Sequence, residues 1–253
     1  MGIDEALENP EQFRVGNDFR ATHRVFPIEV DGNKYVAKMP GTVSAGALFK
    51  YYIQDHFSPF TSRLLGSVTE SFSEEARKLD LLGGYCAPRL IGYNPNSLVI
   101  IKDFVNGASL KDKINAGEET SGLEGAVGLI RAIHGRGVII GDSHAKNVLF
   151  GKYSPAIWVD FDGVFDDTNF PLASALDLYQ FLYSTYSLVR NSFVTESAAR
   201  AVLGYGDHLV LDNLREMVDQ TEPGVSLWFK SRIPVFDKEW MKKLKKFYFN
   251  IFL

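Results

Sequence analysis

The sequence has a single cysteine, Cys86, in 253 residues, so no intramolecular disulfide can form. That favours a reducing compartment, and a cytoplasmic protein is expected. There is no basic excess. Lys and Arg number 27 against 31 Asp and Glu, a net charge of −4, which argues against general nucleic-acid binding. No run of 18 apolar residues occurs, so no membrane-spanning helix is predicted. The opening MGIDEALENP has neither the basic region nor the apolar run of a secretory signal. Ala6 stands where a myristoylation pattern needs Ser or Thr. Repeats and low-complexity tracts are absent too. What is present is 45% hydrophobic residues, enough for a sizeable core in one large domain or two lobes.

Strand signals come first. Residues 24–30 are rich in strand formers, Asp31-Gly32-Asn33 is a turn signal, and residues 34–38 follow as a second strand. Alternation puts Val36 and Lys38 on one face. Residues 39–71 are hard to assign, with a helical patch at 49–53. Residues 72–82 read as a helix with Ser73 as N-cap and Gly83-Gly84 as its stop. Phe72, Glu75, Ala76 and Leu79 share a face, so Glu75 lies on the apolar side. Strands are expected at 89–92 and 98–101, followed by a connector over 102–107. From Ser109 the pattern turns helical, most clearly at 123–134. A strand over 157–161 follows, and the chain is mainly helical after Pro171. The fold class is therefore α+β in two lobes, 1–105 and 106–253, crossing at Asn106-Gly107.

The polar stretch GDSHAKNVLF, 141–150, interrupts two apolar runs, and WVDFDG follows at 158–163. Asp142 and Asn147 are five residues apart in a loop, and Asp160 follows an apolar run. An Asp, an Asn and a further Asp offer the oxygen ligands that Mg²⁺ takes. Asp162 competes with Asp160 for that role or assists it. A strand lysine, Lys38, and a helix glutamate, Glu75, can pair, although Glu74 is adjacent and only the helix face chooses between them. Mg²⁺ with a lysine suits a polyphosphate, and Asp142 can accept a hydroxyl proton.

Taken in order, YVAK, EEARKL, the Asp142-x-x-x-x-Asn147 loop and WVDFDG resemble the motifs of the protein-kinase-like superfamily. Asp177, in SALDLYQFL, resembles the residue that anchors the catalytic loop in that superfamily. The resemblance covers roughly residues 13–190. It implies ATP and Mg²⁺, with Asp142 as catalytic base, Asn147 and Asp160 as metal ligands, and Lys38 on phosphate oriented by Glu75. It also implies that backbone groups of the connector at Asp103 and Val105 meet adenine and that Val36 roofs the ring. Gly16 stands where the glycine-rich phosphate loop would begin, but two of its glycines are absent.

Other departures narrow the likeness. Ile140 stands where protein kinases usually have His, and His144 where they usually have Lys. Asp-x-His-x-x-Asn resembles aminoglycoside, choline and lipopolysaccharide sugar kinases. Asp177 follows Asp160 by only 17 positions, a shortness shared with RIO kinases and the small kinase of the tRNA-threonylcarbamoylation complex. His144 either touches phosphate or bonds the loop, and Lys146 either faces the transferring phosphoryl group or is simply exposed. The expected activity is transfer of the γ-phosphate to a hydroxyl of a protein, with a sugar, lipopolysaccharide or other small molecule as the alternative acceptor. An ATP-binding pseudokinase and a metal-dependent hydrolase using Asp142, Asp160 and Asp162 compete with it. Near the end of the chain, Trp240, Leu244, Phe247, Tyr248 and Ile251 fall at helical spacing opposite Lys238, Lys242, Lys245 and Lys246. That face either packs on the second lobe or lies on an anionic membrane.

Overall fold

The computed structural model describes residues 2–19, 23–41, 68–117, 121–151, 156–161, 169–189 and 192–220. Asp162, the helical patch at 49–53 and the amphipathic stretch at 238–251 lie outside these residues.

Strands β1 (His23–Val30) and β2 (Asn33–Pro40) form the expected hairpin. Asp31 and Gly32 connect them with φ of 50° and 77°. Two left-handed residues give the turn whose twist matches that of the flanking strands. With β3 (Leu90–Asn94) and β4 (Val99–Asp103) they make a four-stranded antiparallel sheet in the order β1-β2-β4-β3. Alternation divides β4 cleanly. Val99 and Ile101 join Phe26, Ile28 and Val30 in a cluster under helix α1 (Ile3–Glu8), whereas Ile100 packs with Phe72 and Leu79 of helix α2 (Val68–Leu82).

Besides shifts of a residue or two at the ends of β1, β2 and β3, three boundaries differ from the sequence expectation. Strand β4 runs on through Lys102 and Asp103, so these belong to the sheet and only Phe104–Gly107 remain as connector. Helix α2 already includes Val68, which puts Ser73 inside it. The Ser73 hydroxyl donates back to the Glu70 carbonyl at 3.1 Å and is no N-cap. A serine satisfied within the helix has no need to end it. The strand expected over 157–161 is Ala156–Trp158, and Val159–Phe161 leave the ladder.

Beyond the connector, Ser109 caps helix α3 (Leu110–Asn115): its hydroxyl accepts the Asp112 N–H at 3.1 Å, and Asp112 accepts the Ser109 N–H at 3.3 Å. Helices α4 (Ser121–His134), α5 (Phe170–Val189), α6 (Ser192–Leu203) and α7 (His208–Gln220) follow. A small sheet of β5 (Ala108–Ser109), β6 (Val148–Phe150) and β7 (Ala156–Trp158) lies among them. Leu123, Ile130, Ile133, Ile140, Trp158, Leu178 and Phe181 form its core, and the same cluster continues into α2 through Leu79. The architecture is α+β in two lobes, strands first and helices second. Among the described residues, no helix is long and apolar enough to cross a membrane.

Candidate functional site

A cleft of about 460 Å³ is lined from both lobes. Val36 and Lys38 of β2, Lys102 and Asp103 of β4, and Val105 of the connector face Lys146, Asn147, Val159 and Asp160. Sheet register places the upper wall: Val36 pairs with Lys102 and Lys38 with Ile100, so both lysines stand on the α2 side of the sheet. The β6–β7 hairpin places the lower wall. Val148 pairs with Trp158, the Val159 N–H donates to the Asn147 carbonyl at 2.9 Å, and the residues flanking the two strands meet.

A charged cluster closes the inner end. Glu75 is fully buried. Its Oε2 lies 2.5 Å from Lys38 Nζ and its Oε1 lies 2.6 Å from Lys102 Nζ. Lys38 also approaches Asp160 Oδ1 at 3.4 Å, and Lys102 donates to the Val159 carbonyl at 2.9 Å. Burial pushes the Glu75 carboxyl up, but Lys102 first and Lys38 second outweigh it, and its pKa is lowered to about 2. Two lysines and two carboxylates balance in charge, which is what ions removed from water require. The helix face decides between neighbouring glutamates. Glu74 instead pairs with Arg77 on the outer surface of α2, at 2.6 and 2.7 Å.

The loop around Asp142 is held from below. Asp177 accepts the N–H groups of Ile140 at 2.7 Å and Gly141 at 2.9 Å. Gln180 accepts the Ser143 N–H at 3.3 Å, and the Ser184 hydroxyl accepts the Ala145 N–H at 2.9 Å. Asp177, Gln180 and Ser184 are three and seven positions apart on α5, one helical stripe beneath the loop. Asn147 Nδ2 donates to the Asp142 carbonyl at 2.8 Å and to its carboxylate at 3.0 Å. His144 Nε2 lies 3.2 Å from the other Asp142 oxygen. The Asp142 carboxylate is thus oriented by an amide and an imidazole while a quarter of its side chain stays exposed, 26%.

Of the residues singled out in the sequence, Val36, Lys38, Asp103, Val105, Asn147 and Asp160 line the cleft, as does Lys146. Glu75 lies behind Lys38, and Asp142 and His144 adjoin Asn147. The Asp103 N–H is already taken by the Arg89 carbonyl at 3.0 Å. Gly16 is not brought to the cleft. Its missing Cβ would meet the Pro27 ring at 2.7 Å, so the glycine permits packing of the edge segment on β1. Phe19, three residues on, reaches the cleft rim instead. Sequence reasoning passed over Lys102, Gln180, Ser184 and His134. The His134 ring bonds Asp177 at 2.9 Å and the Tyr205 hydroxyl at 2.8 Å. Only the spacing of Gln180 and Ser184 from Asp177 was a readable signal.

Asn147 and Asp160 offer two hard oxygen donors on one wall of the cleft. That fits Mg²⁺, which takes few protein ligands and fills its remaining positions with water and phosphate. Among the described residues no group of three His, Cys, Asp or Glu side chains forms a protein-only metal cage.

No protein-family model and no curated protein matches the sequence. Solved structures do match by shape. The Rio2 kinase of Chaetomium thermophilum, solved as an ADP/Mg²⁺-phosphoaspartate complex, is similar with a TM-score of 0.52 at 13% identity, over 98% of this chain and 74% of the kinase. WaaP, solved in complex with acyl carrier protein, is similar with a TM-score of 0.47 at 15% identity, over 96% of this chain and 92% of that one. The fold is protein-kinase-like.

Proposed function

We propose that this chain is a Mg²⁺- and ATP-dependent phosphotransferase that moves the γ-phosphate to a hydroxyl acceptor. One observation carries the reading: the buried Lys38–Glu75 pair, Asp160 and Asn147 meet at a single cleft between the lobes, and the oriented Asp142 adjoins Asn147. In this reading residues 1–105 hold the nucleotide and 106–253 carry the catalytic loop and the acceptor. Val36 covers the base, and Asp103 at the end of β4 and Val105 of the connector present backbone to its edge. Lys38 neutralises phosphate oxygens through charge-assisted hydrogen bonds while Glu75 keeps it aimed. Asn147 and Asp160 would hold Mg²⁺, which supplies charge neutralisation on the phosphates when bound. Asp142 accepts the proton of the incoming hydroxyl, and its carboxylate is positioned for that by Asn147 and His144. Lys146, exposed at the cleft, faces the region where the transferred group carries charge.

The acceptor is a protein side chain or a small hydroxylated molecule such as a sugar. The test is transfer of labelled γ-phosphate from ATP with Mg²⁺ to a panel of proteins and sugars, with Asp142→Asn and Asp160→Ala alongside. Label that appears with the natural chain and is lost in both variants supports the reading. A second reading, an ATP-binding module without turnover, draws on one observation: Gly16 packs on Pro27 instead of facing the phosphates' side of the cleft. Nucleotide binding without transfer to any acceptor would favour it.

A further inference from the structure

Lys102 is a buried charged residue lining the cleft that the phosphotransferase reading does not use. Its surface is 4% exposed, and it is the last residue but one of β4 before the connector. A buried lysine is costly unless it is paired, so its partners say what it does. They come from two other elements. Nζ donates to Glu75 of α2 at 2.6 Å and to the carbonyl of Val159 at 2.9 Å. Val159 immediately precedes Asp160 and also donates its N–H to the Asn147 carbonyl. One ammonium group therefore ties β4, α2 and the segment carrying Asp160 together.

We propose that Lys102 is a positioning residue that holds Glu75 and helix α2 in place and so frees Lys38 to engage a phosphate. The inference rests on the phosphotransferase reading for its kinetic part. Glu75 has two carboxylate oxygens and a separate lysine on each. If Lys38 were its only cation, any turn of Lys38 toward another anion would leave a buried carboxylate uncompensated, and α2 would be drawn away from the sheet. With Lys102 on Oε1, Glu75 keeps a cation throughout. The same contact fixes Val159, so Lys102 adds to Lys38 and to Lys78, which donates to the Phe161 carbonyl at 3.4 Å, in registering the helix to the segment carrying Asp160. Asp177 follows Asp160 by only 17 positions, which leaves little length for a long segment to brace α2 from outside. A brace built into the sheet does that work from within.

The test compares the full chain with Lys102→Met, Lys102→Arg, Glu75→Gln and the double variant Lys102→Met/Glu75→Gln. Backbone hydrogen exchange is read over 68–82 and, as reference, over α4 and α5. Turnover is read as kcat and KM for ATP with Mg²⁺. Lys102→Met is expected to speed exchange in α2 about tenfold while leaving α4 and α5 unchanged. It should lower kcat about tenfold to a hundredfold with KM changed far less, because position and not affinity is lost. Lys102→Arg, which keeps charge and donors, should recover most of both. Added to Glu75→Gln, Lys102→Met should change α2 exchange little further, because the two act through one contact. Should Lys102→Met not fold, Lys102→Gln, which keeps a donor for Val159, takes its place. Exchange in α2 equal to that of the natural chain, or full additivity with Glu75→Gln, would overturn the proposal. If the natural chain neither binds nor turns over ATP, the phosphotransferase reading fails, and exchange and additivity still decide the role of Lys102.

Discussion

Asp177 accepts the backbone N–H of Gly141 at 2.9 Å, across 36 positions of sequence. Gly141 has φ of 92°, a backbone region that disfavours a side chain, and Asp142 follows it directly. The other Asp177 oxygen takes the Ile140 N–H and the His134 ring. A fully buried carboxylate thus gathers three donors and sets the direction in which the loop presents Asp142.

Asp177→Asn replaces one acceptor with an amide that donates, and one of those donors is left facing another donor. The cost of leaving such a buried group unsatisfied is about 1–3 kcal/mol. Urea unfolding should show a loss of that size, and phosphate transfer should fall with it as Asp142 loses its setting. Unchanged stability and unchanged transfer would show that the loop is held by other means.

Asp142→Asn keeps the shape of the side chain and removes its basicity. Transfer to the acceptor should fall about 10²–10⁴-fold, the contribution of a positioned general base. The thermal shift produced by ATP with Mg²⁺ should persist, because Asp142 is not among the residues lining the cleft. Loss of both together would place Asp142 in binding instead.

Glu75 titrates in the folded chain at about 2, below its ordinary 4.5, because Lys102 and Lys38 outweigh the effect of burial. A depressed carboxyl contributes stability that is fully present above about pH 4.5 and is lost as pH falls toward 2. The free energy of unfolding should therefore decline across that window. In Glu75→Gln the slope should be shallower by up to about one proton, measured by urea unfolding at a series of pH values. Identical slopes in the two proteins would mean that Glu75 is not the group being protonated.

The connector carries a steric requirement. A Cβ on Gly107 would meet the Phe150 carbonyl oxygen at 2.6 Å and its carbon at 2.8 Å, both backbone atoms. Gly107→Ala must displace either the connector or β6, at a cost of about 1–3 kcal/mol. Gly128 of α4 is exposed and has nothing within 4 Å of the same construction. Gly128→Ala should instead stabilise by up to about 1 kcal/mol through helix propensity. Thermal unfolding of the two variants should move in opposite directions.

Much of the arrangement was legible where a local rule speaks. Alternation put Val36 and Lys38 on one face, and Asp31-Gly32 marked the hairpin. Helical periodicity put Glu75 among Phe72, Ala76 and Leu79, and all four are buried. The rules failed where a tertiary partner overrides them. Ser73 has the chemistry of an N-cap, but α2 includes Val68 and leaves it inside. Lys102-Asp103 reads as the start of the connector, yet β2 extends the pairing, and Tyr35 opposite Asp103 keeps the ladder going. Buried lysines such as Lys102 and Lys78 leave no mark in a hydrophobic pattern, because only their partners make burial tolerable.

The sequence by itself determined the order of strands and helices, the spacing of Asp142 to Asn147, and the face on which Lys38 stands, since each depends on residues within a few positions of one another. The tertiary structure alone decided that Glu75 is shared by Lys38 and Lys102, that His134 joins Asp177 beneath the loop, and that Gly16 meets Pro27 while Phe19 takes the cleft rim. Those outcomes depend on the sheet order β1-β2-β4-β3 and on packing between lobes. The electrostatic compensation of buried charges and the fit of backbone against backbone exist only once distant segments have met.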